Sequence, residues 1–196
     1  MPDFLLIRHG ESLFNTRNLL NGDPSVFNPL SDVGRQQCSA LSTTIGTMKW
    51  ASAWTTRFPR TKESLGLMAP GLLDDAAEIE LLDDLRVGEF EGRPIEEFRT
   101  WRRANGPGVA PTNGESLVQA VERYAHGLKF LLEHAPRPAL AVVHDQPIRY
   151  VMNAQAGDDP FTGALRKVPN AVPYPFSEGA LALAAERLDA RGDRVE

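Results

Sequence analysis

Four places far apart in the chain carry residues able to act together on a charged substrate: Arg8-His9, Arg60, Asp84 and His144. Each lies at or near the end of a short apolar run. Phe4–Ile7 breaks off at Arg8-His9-Gly10-Glu11, where a buried strand normally gives way to Gly, Asn or Asp. Ala139–Val143 runs into His144, Trp50–Thr55 ends shortly before Arg60, and Ile79–Leu82 runs into Asp83-Asp84. Ligands of open α/β sheets gather beyond the carboxyl ends of the strands. If these runs share a sheet, two imidazoles, two guanidiniums and a carboxylate meet on one rim. Two arginines repel a divalent metal but suit an anion, because a guanidinium fork pairs two oxygens of a phosphate. A neutral imidazole can attack phosphorus and carry the phosphoryl group, dividing one displacement into two.

The elements that must position these groups can be read from periodicity and turn chemistry. Strands are expected at Phe4–Ile7, Trp50–Thr55, Ile79–Leu82, Ala139–Val143 and Ala180–Ala184. Helices are expected at Asp32–Ile45 behind a Ser31 cap, Thr61–Met68 stopped by Pro70, Glu96–Ala104 after Pro94, Glu115–His134, and from Ile148 to Ala154. Gly22–Pro29 and the Gly/Pro-rich Asn105–Asn113 read as loops, the stretch Asp158–Pro175 has no clear period, and the tail from Asp189 is expected to fray. Strands alternating with helices indicate a three-layer α/β/α sandwich with a mostly parallel central sheet.

A length of 196 residues suits one domain, 1–196, able to bury a core without disulfide or metal staples. The single cysteine, Cys38, excludes an internal disulfide and any Cys-rich zinc site; its helical setting reads as core. A net charge of −5 with no polybasic run argues against nucleic acid. No apolar stretch is long enough to span a membrane, and the short N-terminal run lacks a basic leader, so a cytoplasmic location is expected.

Arg8-His9-Gly10-Glu11-Ser12 with Asn15 resembles the signature of the histidine phosphatase superfamily, which includes the cofactor-dependent phosphoglycerate mutases. The resemblance continues in order. Pro29-Leu30-Ser31 with Gly34 is similar to the entry into the family's first helix, and Thr55-Thr56-Arg57-Phe58-Pro59-Arg60 to its second arginine segment. Leu82-Asp83-Asp84 with Gly88 and Phe90-Glu91-Gly92 resembles the acid segment, Gly114-Glu115-Ser116 with Arg123 a later one, and Val142-Val143-His144 with Ile148-Arg149 the second-histidine strand.

The resemblance implies a phosphoglycerate mutase-like fold and a phosphohistidine formed on His9. It implies that Arg8, Arg60 and His144 hold the phosphoryl oxygens, that Asn15 donates a further hydrogen bond, and that Asp84 protonates the leaving oxygen and then activates water. Gln146 could bond substrate oxygens, and Ser12 could touch substrate or cap a turn. His9 must be neutral and Asp84 protonated, so a bell-shaped or acid-leaning pH profile is expected. No metal or cofactor is implied, since arginines supply the charge that Mg²⁺ supplies elsewhere. The resemblance also extends to a homodimer.

The chain departs from the family pattern at three positions. Asp84 stands where Glu is usual, leaving Asp83 and Glu89 as alternative acids. Asp145 follows the second histidine in place of Gly, where it could meet a cationic group on the substrate. Arg57 replaces a proline and could contact a second acidic group of the substrate. Trp101 could wall the pocket. Because Glu91–Gly114 is shorter than the corresponding mutase insertion, a phosphatase acting on a small phosphorylated metabolite is the favoured reading. Mutase-type phosphoryl transfer and a non-catalytic phospho-ligand sensor stand as alternatives.

Overall fold

Apolar side chains at Phe4, Leu5, Leu6 and Ile7 are all buried, so the first strand, β1 (Phe4–Arg8), can only be internal to a sheet. A computed structural model, which describes residues 1–192, shows a sheet ordered β3-β2-β4-β1-β5. Here β2 is Ser52–Thr55, β3 Ala77–Glu78, β4 Ala139–Val143 and β5 Pro173–Phe176. All pairings are parallel except β1 with β5. Side chains of β1 and β4 alternate between two apolar layers. Phe4, Leu6, Ala141 and Val143 face α5 (Leu117–His134), α6 (Asp145–Ala156) and α7 (Glu178–Gly192). Leu5, Ile7, Leu140 and Val142 face α2 (Asp32–Ala40) and α3 (Pro59–Met68). The sheet is thus a mixed, mostly parallel one with helices on both faces. A four-residue helix, α1 (Leu13–Thr16), and α4 (Ile95–Asn105) lie along the connections.

Local chemistry starts the helices. Ser31 accepts from the Gly34 amide to begin α2, and Ser116 and Gln119 form a reciprocal capping box at α5. Pro59 occupies the first turn of α3, and Gly157, at φ 78°, ends α6.

Two expected strands are not strands. Ile79–Leu82 is mostly a 3₁₀ turn, Glu80–Leu82, behind the two-residue β3. Ala180–Ala184 lies inside α7, where alternating Ala and Leu mimic a period of two but are strong helix formers. Buried Leu181, Ala184, Ala185 and Leu188 instead follow helical spacing. The last strand among the described residues is β5, which overlaps the end of the stretch without a clear period, Asp158–Pro175. Its prolines are tolerated because it is an edge strand. Helix α2 stops at Ala40 and continues as turns, short of the expected Ile45. The tail expected to fray from Asp189 is helical to Gly192, and residues 193–196 lie outside the described part. Among the described residues no helix is long and apolar enough to cross a membrane.

Candidate active site

Strand register brings the two histidines side by side. Arg8 pairs with Val143 in the parallel β1–β4 ladder, so His9 and His144 emerge one residue beyond it on adjacent strands. The His9 amide extends the ladder to the Val143 carbonyl at 3.0 Å. Their ring centroids are 5.3 Å apart. Pairing of Thr55 with Val142 puts Thr56 beside the same rim, where its Oγ1 lies 2.8 Å from His144 Nε2.

The backbone assigns the His9 tautomer. Nδ1 lies 2.7 Å from the Gly10 carbonyl, which can only accept, so the proton is on Nδ1 and Nε2 keeps its lone pair. The turn depends on glycine, because a Cβ at Gly10 would come 2.6 Å from the Gly34 carbonyl oxygen and 2.7 Å from Cys38 Sγ. Burial, then the charges of Arg60 and Arg8, hold the His9 pKa well below its usual value. His144 is depressed likewise by burial and by Arg60. Both imidazoles are neutral near pH 7.

Arg60 is the hub. It enters from the first turn of α3 and is only 3% exposed. Nε donates to His9 Nε2 at 3.1 Å, and Nη2 reaches Asp84 Oδ2 at 2.9 Å and His144 Nδ1 at 3.2 Å. Nη1 donates to Asn21 Oδ1, and the guanidinium lies 4.2 Å from the centre of the Phe58 ring. Burial lowers its pKa to about 10, which leaves it charged at neutral pH. The atoms of His9, Asp84 and His144 that could ligate a metal lie within 4.8 Å of one another, but Arg60 donates to all three. A fixed positive charge there makes the group an anion site.

Asp84 Oδ2 is also 3.5 Å from His144 Nδ1, and Oδ1 accepts from the Leu85 amide at 3.0 Å. Burial raises its pKa against the opposing pull of Arg60, and the negative Asp145 adds to the rise. Its loop is held by Arg123, which donates to the carbonyls of Leu81, Asp83 and Asp84 and pairs with buried Glu115. The alternative acids lie elsewhere. Asp83 is bound to the amide and Nε of Arg57, and Glu89 accepts from the Thr112 amide. Arg57 is therefore occupied by Asp83 and Glu80, which corrects its expected contact with substrate. Trp101 packs on Phe90 and Phe98 and is absent from the cavity wall.

These groups open into a cavity of about 620 Å³. Arg8 lines it, with one Nη bonded to the Val168 carbonyl at 2.6 Å and Nε buried without a partner among the described residues. Asn15 and Ser12 also line it, but mainly cap each other at α1. Asn15 Oδ1 accepts from the Ser12 amide, and Ser12 Oγ accepts from the Asn15 amide and from Asn28. Gln146 and Asp145 are part of the wall, and each carries a buried side-chain oxygen, Oε1 and Oδ1, without a partner among the described residues.

Asn21, Thr56, Ser64 and Asn170 are site groups that sequence reasoning missed. Asn21 bonds Arg60, Ser64 accepts from the Gly10 amide, and Asn170 donates to the His9 carbonyl. Only Thr56 carried a signal, since it sits at the end of the β2 run.

Fold and site together define a class: an α/β protein with a histidine-arginine anion pocket at the carboxyl ends of parallel strands. The family model described as "Histidine phosphatase superfamily (branch 1)" matches residues 4–172, and the chain belongs to that family. It is 29% identical to the fructose-2,6-bisphosphatase TIGAR B of Danio rerio over 135 residues, 65% of this chain and 52% of the relative. The chain thus spans about half the length of the TIGAR relatives it matches. It is 26% identical to a 2,3-bisphosphoglycerate-dependent phosphoglycerate mutase of Gloeobacter violaceus, covering 78% of this chain and 74% of that one. Bacillus stearothermophilus YhfR shares the fold at a TM-score of 0.73 and 21% identity, over 87% of this chain and 88% of that one.

Proposed function

We propose that the protein is a metal-independent phosphomonoester hydrolase that passes a phosphoryl group through His9. The observation that carries this reading is the His9 tautomer: Nδ1–H is held by the Gly10 carbonyl, which leaves a neutral Nε2 lone pair at the floor of an arginine-lined pocket. In the first step Nε2 attacks phosphorus and the ester P–O bond breaks. Asp84 gives its proton to the leaving oxygen as the alcohol departs. Arg8 and Arg60 hold the phosphoryl oxygens and stabilise the charge that develops on them, and a bound dianion favours a protonated, donating His144. In the second step water attacks the phosphohistidine, Asp84 takes its proton, and inorganic phosphate leaves neutral His9 behind.

Hydrolysis is favoured over transfer because the Asp84 side chain is 24% exposed, which gives water a path to the group that must activate it. Relatives named as a sugar bisphosphatase and a phosphoglycerate mutase support a small phosphorylated metabolite as substrate, a size the cavity accepts. The test is hydrolysis of p-nitrophenyl phosphate and a panel of phosphomonoesters in EDTA. Chelator-resistant release of phosphate that disappears in His9→Ala is expected. Binding without turnover would refute the reading, and phosphoryl exchange on phosphoglycerate with little release would replace it by a mutase.

A further inference from the structure

Arg102 is an arginine that the reacting end of the pocket does not use. Its neighbours on α4, Arg99 and Arg103, also line the cavity but are more exposed and have partners: Arg99 pairs with Glu96, and Arg103 donates to the Thr100 hydroxyl. Arg102 is half-buried in the cavity wall and has no hydrogen-bond or ion-pair partner among the described residues. Burial lowers its pKa; Tyr150 pulls it back up, and the positive charges of Arg149 and Arg99 lower it further.

Arg149 faces the same cavity from α6, with a side chain only 16% exposed. Its one carboxylate contact among the described residues is Asp145 Oδ2 at 3.5 Å, at the limit of a hydrogen bond. Two partly desolvated guanidiniums that repel each other line one cavity, and the carboxylate of Asp145 makes only a long contact to Arg149, which leaves excess positive charge in the wall. Such charge is normally paired. Neither Arg102 nor Arg149 hydrogen-bonds His9, Asp84 or His144, which Arg60 contacts instead. Apolar side chains including Leu20, Val87, Phe98 and Leu165 also line the cavity.

We propose that Arg102 and Arg149 form a second anion subsite, and that the substrate is a phosphomonoester with a further carboxylate or phosphate beyond an apolar or ring-sized spacer. The proposal rests on the hydrolase reading above and names its substrate class.

The test compares 4-carboxyphenyl phosphate and benzene-1,4-diyl bisphosphate with the neutral isostere 4-carbamoylphenyl phosphate. It uses wild type, Arg102→Gln, Arg102→Lys and Arg102→Glu. Each ratio of kcat/KM is compared between proteins, so intrinsic leaving-group differences cancel. A charge-assisted contact predicts a wild-type preference for the anionic compounds of about tenfold or more. The preference should fall towards parity in Arg102→Gln, survive in part in Arg102→Lys, and turn towards 4-(aminomethyl)phenyl phosphate in Arg102→Glu. Preference for one anionic arm identifies carboxylate or phosphate as the distal group. Calorimetric binding of the matching phosphonates separates two kinds of failure. Turnover with a ratio indifferent to Arg102 overturns the subsite and leaves the hydrolase standing. Arg102-dependent phosphonate binding without turnover upholds the subsite and overturns the hydrolase.

Discussion

Replacing Arg123 by methionine should damage the protein twice, once in stability and once in catalysis. The Arg123 side chain is 10% exposed and Glu115 is 8% exposed. Nε donates to Glu115 Oε2 at 3.0 Å, and the remaining nitrogens reach the carbonyls of Leu81, Asp83 and Asp84 at 3.0–3.2 Å. A surface ion pair would contribute at most about 1 kcal/mol. Here methionine keeps most of the packing volume but strands three carbonyls and takes the charge partner from the buried Glu115 carboxylate, which retains the Arg86 amide. Losing one partner of a buried pair costs about 3–5 kcal/mol. Urea titration should show a lower midpoint with an unchanged slope.

Adding Glu115→Gln removes the stranded charge, so the double variant should lose clearly less than the sum of the two single losses. Catalysis should also fall, because the carbonyl of Asp84 itself is released. The loss should be larger for alkyl phosphates, whose leaving oxygen needs a proton, than for p-nitrophenyl phosphate, whose leaving group departs as an anion. A stability loss below about 1 kcal/mol, or strict additivity in the double variant, would refute a buried clamp.

The kcat/KM profile should be a bell whose acid limb reports the depressed His9 and whose alkaline limb reports the raised Asp84; Asp84→Asn should abolish the alkaline limb on alkyl phosphates. Arg60→Lys should keep the fold by circular dichroism but lower kcat/KM by about 10²–10³, since an ammonium cannot reproduce the fork. Acidification should destabilise the protein below about pH 6.5, where unfolded histidines gain protons that buried His9 and His144 refuse. The slope is up to about 1.4 kcal/mol per pH unit for each histidine until its folded pKa is reached. Asp84, Asp83 and Glu91, all raised by burial, act with the opposite sign once the pH falls to their own raised pKa values, so the loss should show most clearly just below about pH 6.5. A melting temperature constant from pH 8 to 5 would contradict this. Gly34→Ala should yield little folded protein, because its Cβ would lie 2.0 Å from the Glu11 carbonyl oxygen; normal expression and melting would contradict that.

Legibility in the sequence followed the physics of each element. β1 and β4 were readable because strands buried on both faces must be continuously apolar, and α5 because it carries about five turns of periodic side chains. β5 was not, since Pro173 and Pro175 erase a strand signal that edge pairing with β1 restores. α7 was misread because its Ala/Leu alternation fits both periods. The histidines and Arg60 announced themselves by interrupting apolar runs or by position in a motif. Asn21 sits in a turn-rich loop whose composition says nothing of its bond to Arg60. Arg57 and Arg102 show the limit: both are plain cations in the sequence, but only tertiary contacts show that Asp83 occupies one and that the other lines the cavity with no ion-pair partner among the described residues.

The claim on which the account rests is a covalent bond between phosphorus and His9 Nε2. It is tested by mixing the enzyme rapidly with p-nitrophenyl phosphate, quenching in alkaline denaturant to preserve acid-labile phosphohistidine, and mapping the phosphoryl group by peptide mass spectrometry. The account predicts one phosphoryl group on the peptide carrying His9, formed and lost at rates compatible with turnover and absent in His9→Ala. A phosphoryl group on His144, or steady hydrolysis with no phosphoenzyme at any time point, would contradict it.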